Sequence, residues 1–132
     1  MSAQQISEEL QAGQTILEDS KNAIGVGLLG WKLSGFDKKT ETTLSESAAY
    51  EQDHPEATKR IDAALHGGAK AIWLGFGSPR EVVFWSRAIR ARSQSLKLPQ
   101  DGLVLFVSVG SETEAKAAIE QTDSDVIVAQ GA

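Results

Sequence analysis

The sequence lacks cysteine altogether, so it can form neither a disulfide nor a thiolate metal site. Its only histidines, His54 and His66, have a spacing that matches no metal-binding pattern. No apolar run approaches the roughly 18 residues that a membrane-spanning helix needs. The first residues, MSAQQISEEL, lack the basic and apolar regions of a signal peptide. We therefore expect a cytoplasmic protein without a metal site or a membrane segment.

An excess of basic residues is also missing. The 132 residues include 13 Lys and Arg against 18 Asp and Glu, which gives a formal net charge of -5. Because a nucleic-acid-binding surface needs basic charge, nucleic acid is not an expected partner. The local cluster of basic side chains within residues 80–97 is interpreted as the solvated face of a helix, and the alternative is a patch that binds a phosphate or a partner. A chain of this length predicts one domain, residues 1–132.

Four short apolar runs are present where a long one is absent. They lie at residues 23–29, 69–76, 103–109 and 125–129. None of them alternates regularly between apolar and polar side chains. Continuous apolar runs of this length are typical of strands that are buried on both faces, as in parallel sheets.

Helical signals separate these runs. Residues 5–19 place apolar side chains on one face at helical spacing, and residues 55–65 begin with proline and stop at two glycines. Capping-box patterns at Ser78 and Ser111 predict two further helices. The first of these boxes also favours helix over strand for the apolar EVVFW at residues 81–85.

The resulting order, α-β-loop-α-β-α-β-α-β, predicts an α/β protein in which right-handed βα units form a parallel sheet. Residues 32–53, KLSGFDKKTETTLSESAAYEQD, are the one long interruption. They are predicted to be a polar loop insertion, either holding a short helix near residues 43–50 or partly disordered.

Glycine follows every predicted strand, in GLLGW, GFGSP, SVGS and AQGA. Ligands of parallel α/β folds lie at this end of the strands, although tight turns alone also require glycine. Gln130 stands out there, because we expect it to follow four buried residues. A polar amide in such a place needs a hydrogen-bond partner in the protein or in a ligand. Trp73, Phe76 and Trp85 are interpreted as core residues rather than as a stacking platform.

The stretch AIGVGLLGW carries Gly25, Gly27 and Gly30 in the G-x-G-x-x-G spacing of a dinucleotide-binding turn. That motif needs a strand before its first glycine and a helix after it. The residues before Gly25 are mostly polar, and those after Gly30 show no helical face. We therefore interpret the glycines as part of a strand, where a missing side chain lets a flat ligand or another backbone come close.

Three stretches of the sequence resemble one known family. They are IGVGLLGW, AALHGGAKAIWLGFGSP and LVLFVSVGSETEAKAAIEQTDSDVIVAQGA. All are similar to segments of the nitronate monooxygenase family, also called 2-nitropropane dioxygenase-like, and especially to its fungal-type members. The resemblance covers residues 24–132. It implies a TIM-type (β/α)8 barrel, FMN as the cofactor and the oxidation of alkyl nitronates by molecular oxygen; some relatives reduce enoyl-acyl carrier protein instead.

The resemblance assigns cofactor-binding roles to three residues. Gln130 matches the glutamine that contacts the flavin. Gly27 matches a strand position that is a flavin-contacting asparagine in many bacterial relatives, so only the backbone can serve here. Ser108 matches a strand-end position near the flavin ring. No catalytic residue is assigned, because the family's catalytic histidine follows the glutamine, beyond residue 132.

By this resemblance the chain holds strands two to five of eight, which is about half of a barrel. Half a barrel leaves two unpaired sheet edges and an open inner face. The main hypothesis is an FMN-dependent oxidoreductase of the nitronate monooxygenase type that is inactive as this chain alone. An alternative is a non-catalytic α/β module, or half-barrel, that assembles through its open sheet edges. A dinucleotide-binding protein is the third.

Overall fold

The computed structural model describes residues 1–16, 25–45, 49–97 and 103–130. Each of the four apolar runs contains one strand of a single parallel sheet, which confirms the predicted α/β class. The strands are β1 (Gly25–Leu29), β2 (Ala71–Gly75), β3 (Val104–Val109) and β4 (Val126–Ala129). Residues 23–24 of the first predicted run lie outside the described residues.

Helices precede or connect the strands along the described parts of the chain. They are α1 (Ala3–Ile16), α2 (Gly30–Phe36), α3 (Tyr50–Asp53), α4 (Pro55–His66), α5 (Pro79–Ser95) and α6 (Glu112–Gln121), with a short 3-10 turn at Glu41–Thr43. None of the helices that the structure describes is long and apolar enough to span a membrane.

The strands lie side by side in the order in which they occur in the chain. Gly27 is beside Trp73, Trp73 is beside Phe106, and Phe106 is beside Val126. Connections between successive parallel strands are almost always right-handed, and in a sheet of this order they place every crossover helix on the same face. The exposed side chains of Trp73 and Val126 show that no described helix covers the other face.

The helix-covered face of the sheet carries the core. Its central side chains are all 0% exposed: Ile72, Leu74, Leu105 and Val107. They are directed away from Trp73 and Phe106, since successive side chains of a strand point to opposite faces. Trp85 of α5 is also 0% exposed, which confirms its predicted core position.

Helix α5 begins with the geometry that the sequence predicted. The Ser78 hydroxyl accepts a hydrogen bond from the Glu81 N–H at 3.1 Å, and the Glu81 carboxylate accepts one from the Ser78 N–H at 3.1 Å. Pro79 occupies the first helical position, where its missing N–H costs nothing. Residues 81–85 are therefore helical, as the capping box indicated.

The same glutamate belongs to a buried polar network that the sequence did not reveal. The Ser34 hydroxyl of α2 donates to Glu81 Oε2 at 2.7 Å and accepts from Trp85 Nε1 at 3.0 Å. All three side chains are buried. Because each polar atom has a partner, the network joins α2 to α5 without leaving an unsatisfied group.

Helix α4 begins at Pro55, but its cap comes from a distant part of the chain. The Asp37 carboxylate accepts hydrogen bonds from the N–H groups of Glu56 at 2.9 Å and of Ala57 at 3.0 Å. His54, which immediately precedes the helix, makes no side-chain cap bond. A carboxylate at this position satisfies free amides and complements the positive end of the helix dipole. The bond ties α4 to the residue that follows α2.

Residues 32–53 differ from the predicted polar loop, because much of this segment is helical. Helix α2 follows β1 directly, so the expectation that no helix follows Gly30 is wrong. The helix is only two turns long, which is too short for apolar residues to show a clear helical period in the sequence. Its inner face is defined by Leu33, which is buried against the core. The short helix expected near residues 43–50 starts instead at Tyr50, and residues 46–48 lie outside the described residues.

Only part of the basic cluster is a solvated face, since Arg80, Arg87 and Lys97 are exposed whereas Arg90 and Arg92 are not. The Arg92 side chain is 8% exposed and donates to both carboxylate oxygens of Asp62, at 2.9 and 2.7 Å, with Glu51 at 2.7 Å on its other side. Its bonds to the Asp62 carboxylate raise the pKa of Arg92 above its ordinary value. Arg90 donates to the Asp125 carboxylate at 2.7 Å. These arginines attach α5 to other elements, and their acidic partners are too remote in sequence to be read from a local pattern.

Candidate functional site

Two of the three residues with expected flavin contacts are neighbours in the structure. The Ser108 hydroxyl, near the carboxyl end of β3, donates a hydrogen bond to Gln130 Oε1 at 2.9 Å. The Gln130 backbone N–H donates to the Val109 carbonyl at 2.8 Å, so the end of β4 is fixed beside the end of β3. Ser108 is buried and Gln130 is exposed, which places a held amide at the surface.

The third residue, Gly27, shares their sheet face but lies apart from them. Gly27 is on β1, at the opposite edge of the sheet from β4. Across the strands it is level with Trp73 and Phe106, two residues before the level of Ser108. A Cβ built on Gly27 meets no atom within 4 Å. The backbone is therefore open to an approaching group at this point, as predicted from the missing side chain.

The burial expected around Gln130 is not observed. Val126 is exposed, Ile127 and Val128 are half-buried, and Ala129 is exposed. β4 is an outer strand of the sheet, so one of its edges and one of its faces lack a described neighbour. The desolvation argument for a ligand at Gln130 is therefore wrong, and the residue is marked instead by its bond to Ser108.

Aromatic side chains occupy the uncovered face, contrary to the core interpretation for two of them. Trp73 is 42% exposed and Phe76 is 58% exposed. The rings of Trp73 and Phe106 are stacked with centroids 5.5 Å apart and planes 4° from parallel. Both faces of β2 are apolar in sequence, so no pattern could tell which one the helices would cover. The stacked pair gives this face a flat apolar surface.

Close backbone packing fixes the strand ends around Ser108. A Cβ on Gly75 would lie 3.0 Å from the Ser108 Cβ, so a side chain at this position would displace Ser108 by a few tenths of an ångström. A Cβ on Gly30 would lie 3.2 Å from the Gly77 Cα, where the start of α2 meets the turn that follows β2. The last glycine of G-x-G-x-x-G thus serves backbone packing between a helix start and a turn.

Phe76 holds an uncommon backbone conformation at this end of the sheet. Its φ is 55°, in the left-handed region that bulky side chains seldom adopt. Its carbonyl accepts a hydrogen bond from the Trp31 N–H at 3.2 Å, and Trp31 is 56% exposed. Two exposed aromatic side chains therefore stand at the carboxyl ends of β1 and β2. The sequence signal for Phe76 was the glycine on each side of it, although we interpreted the residue as part of the core.

The dinucleotide-binding interpretation fails on placement. Gly25 and Gly27 lie within β1, as predicted, whereas that motif places its glycines in the turn after a strand. The helix that follows does satisfy one requirement of the motif. The motif also places an acidic residue that binds ribose about 20 residues after its glycines. Glu51 is near that distance but is paired with Arg92.

The serines at the helix starts act as caps. Ser111 accepts a hydrogen bond from the Glu114 N–H at 3.2 Å, as its capping pattern predicted, while the Glu114 carboxylate accepts from the Gly110 N–H rather than from Ser111. Ser78 is held in the reciprocal box of α5. Each hydroxyl accepts a backbone N–H in its cap, and within the described residues neither donates to a side chain that could act as its base, as an activated nucleophile does.

The arrangement suits binding rather than acid–base chemistry. Gln130, Ser108 and Gly27 carry no ionisable side chain, so none of them can take up a proton at neutral pH. Across the described ranges, no group of three His, Cys, Asp or Glu side chains is placed to hold a metal ion. The site offers the Gln130 amide fixed by a hydrogen bond, the flat apolar surface of Trp73 and Phe106, and free space beside the Gly27 backbone.

Comparison with known proteins gives no significant match, whether with protein-family models, with curated proteins or with solved structures. The geometry of the sheet and the resemblance in the sequence are therefore the grounds for a functional hypothesis.

Proposed function

We propose that this chain supplies part of the flavin-binding face of a cytoplasmic FMN-dependent oxidoreductase of the nitronate monooxygenase type. The observation that carries the proposal is the Ser108–Gln130 hydrogen bond at the carboxyl ends of two adjacent parallel strands. It lies at the end of the sheet where parallel α/β folds bind their ligands. The substrate class is alkyl nitronates, with molecular oxygen as the oxidant.

The sheet is proposed to be part of a TIM-type (β/α)8 barrel. Its strand order follows the chain, and the helices that the structure describes cover one face only. A doubly wound sheet reverses its order and is covered on both faces. Sequential order with a single helical layer is the arrangement of barrel strands.

The residues present fit the ring of FMN better than its phosphate. The ring of FMN is flat, and its pyrimidine edge carries hydrogen-bond donors and acceptors. An amide such as that of Gln130 matches such an edge, since it can both donate and accept. The open space at Gly27 leaves room for a close approach. None of these residues provides a cationic side chain or a free N–H group at a helix start, the groups that would bind a phosphate.

The roles of the chain's own residues follow from their bonds. Ser108 binds Gln130 Oε1, so the amide nitrogen of Gln130 is the group that can donate to the cofactor. Gly75 allows Ser108 to lie at that place. When bound, FMN supplies the redox chemistry. The described residues of the site supply orientation and no base, so we expect weak FMN binding and no turnover from this chain alone.

The test is a titration of the purified chain with FMN, followed by flavin fluorescence and the visible spectrum. We expect saturable, weak binding that Gly27→Val weakens further, because the added side chain enters the open space. Gly35→Val is the matched control: Gly35 also has no atom within 4 Å of an added Cβ, but it lies on α2. Absence of FMN binding, or equal binding by both variants, would contradict the proposal.

Addition of an alkyl nitronate to the FMN-loaded chain tests the second part of the expectation. The flavin spectrum should stay unchanged, because no described site residue completes the catalytic machinery. Stoichiometric flavin retention together with substrate-dependent bleaching would show that the chain is active by itself.

A further inference from the structure

The described residues of the two outer strands carry neither charge nor proline, which are two of the features that protect an exposed edge. Among the described residues, no strand pairs with the outer edge of β1 or of β4. β1 reads GVGLL and β4 reads VIVA, without charge or proline. Natural sheets protect free edges with charged side chains, proline or bulges, because unprotected edges pair with other chains. Both edges are therefore suited to pairing.

The uncovered sheet face is likewise built for burial. Its side chains, taken from the register rows, are all uncharged: Gly25, Gly27, Leu29, Ala71, Trp73, Gly75, Val104, Phe106, Ser108, Val126 and Val128. Trp73, Val104 and Val126 remain 37–42% exposed. A parallel sheet is normally covered on both faces, and an apolar surface of this kind marks an interaction site.

The two outer strands also lie beside partly apolar surfaces. At the β1 edge, clefts of about 160 and 270 Å³ lie between α1 and β1; both are lined by Ile6 and Val26, with Lys32 and Arg60 lining the first and Glu9 the second. Ile119 of α6, the helix that leads into β4, has 68% of its surface exposed. One edge thus has a largely apolar groove beneath a helix, and the other has an apolar strand that follows a helix with an exposed isoleucine.

From these observations we infer that two copies of this chain close into a ring of eight parallel strands. β1 of each copy pairs with β4 of the other, so the same seam occurs twice around a twofold axis. The four strands of one copy supply half of an eight-stranded barrel, whose interior is just wide enough for side chains to fill. The inference rests on the barrel-type sheet of the proposed function and does not depend on flavin.

The ring brings together residues that one copy keeps apart. Within a single chain, Gly27 and Gln130 are at opposite edges of the sheet. At each seam, β1 with Gly27 lies beside the β4 that leads to Gln130 of the other copy. A second copy therefore completes the grouping of Gly27, Ser108 and Gln130 that a single chain leaves open.

The first measurement is size-exclusion chromatography with light scattering on the full chain. We expect a species of twice the chain mass of 14.1 kDa at micromolar concentration. A monomer would overturn the inference, and so would larger open assemblies, because a closed ring leaves no edge for a third copy. The measurement needs no flavin, so its outcome is separate from that of the FMN titration.

Two substitutions test the seam without disturbing the core. Ile119→Lys and Val126→Lys replace exposed side chains on α6 and β4, and each should raise the dimer dissociation constant at least roughly tenfold, since in the ring a lysine there would be buried. Gln94→Lys adds the same charge at an exposed position of α5, which covers the central strands, and should leave the dimer intact. Equal behaviour of all three variants would contradict the seam.

The absence of cysteine permits a test of the pairing itself. In the ring, Val26 of one copy and Ile127 of the other lie on adjacent strands, so Val26→Cys and Ile127→Cys in one chain should join two copies through a short bis-maleimide. Each single variant should stay unlinked, because its two copies lie on opposite sides of the ring. Linking by Val26→Cys alone would show β1 paired with β1 and would overturn the proposed arrangement.

Discussion

The hydroxyl of Ser108 donates a hydrogen bond over 2.9 Å to the side-chain oxygen of Gln130. The two residues are far apart in sequence but stand at neighbouring strand ends, because β3 and β4 are adjacent and parallel. The bond determines which end of the amide is held. Its nitrogen is left as a hydrogen-bond donor at the surface, which is the group that the proposed function assigns to the ligand.

Removal of the Ser108 hydroxyl is expected to affect the ligand more than the fold. In Ser108→Ala, the exposed Gln130 amide can bond to water, so the free energy of unfolding should change by less than about 1 kcal/mol. The amide also loses its fixed orientation, and FMN affinity should fall roughly threefold to tenfold, the equivalent of one hydrogen bond. Urea unfolding and the FMN titration measure the two effects. Ser95→Ala, at an exposed position of α5, is the control and should change neither.

Gly67 is predicted to be intolerant of any side chain. An added Cβ would overlap the Leu10 side chain of α1 and lie 2.9 Å from the Ala63 carbonyl oxygen. Gly67→Ala should therefore lower the free energy of unfolding by about 1–3 kcal/mol, as overpacking does. Gly35→Ala, with open space beside its Cβ, should be neutral or stabilising by up to about 1 kcal/mol in a helix. Similar urea midpoints for the two variants would disprove the close packing of α1 on α4.

The Ser34 hydroxyl should stabilise the protein through two bonds at once. Ser34→Ala leaves both Glu81 Oε2 and Trp85 Nε1 buried without that partner, at a cost of about 1–3 kcal/mol. Trp85→Phe removes one of these groups, so the double variant should cost less than the sum of the single variants by about 0.5–3 kcal/mol. Strict additivity in urea unfolding would argue against the shared network.

Stability should fall in mildly acidic solution because of His54. Burial of the ring, followed by the nearby charge of Lys39, lowers the pKa of His54 below its ordinary value of 6.5, against the opposing charge of Asp37. No described group bonds its buried Nδ1. The unfolded chain therefore binds a proton at higher pH than the folded chain does. The stabilising effect of neutral His54 is fully present above 6.5 and is lost as the pH falls below it.

Urea unfolding at about pH 7.5 and about pH 5.5 measures this effect, over the range where histidine titrates. The variant His54→Phe keeps an aromatic ring against Phe84 and Trp85 but cannot take up a proton. Its loss of stability between the two pH values should be smaller than that of the unchanged protein. An equal loss would assign the pH dependence to other groups.

Local signals in the sequence were sufficient for most of the secondary structure. The apolar runs predicted the four strands, and the pattern at Ser78 predicted the start of α5, because a capping box involves residues only three positions apart. The two-turn α2 was missed, since its helical conformation depends on Leu33 being buried against the core. Secondary structure that is determined by residues close in sequence was predicted correctly. Secondary structure that depends on tertiary packing was not.

The site was only partly predictable for the same reason. Ser108 and Gln130 were both named from the resemblance, and their mutual bond follows from strand adjacency. The exposure of Trp73 could not be predicted, because it depends on which face of the sheet the helices cover. The ion pair of Arg92 with Asp62 joins two helices that are far apart in sequence, so charge patterning within α5 gave no sign of it.

Asp37 follows α2 and caps the start of α4. We therefore expect the β1–α2 unit and α4 to open together as one cooperative unit. The first amides of α4 are held by a carboxylate that is in position only when α2 has docked. Opening of the β1–α2 region therefore releases the start of α4 as well, and the two should show the same slow amide exchange with solvent. Local order in α4 is thus coupled to the formation of the neighbouring αβ unit.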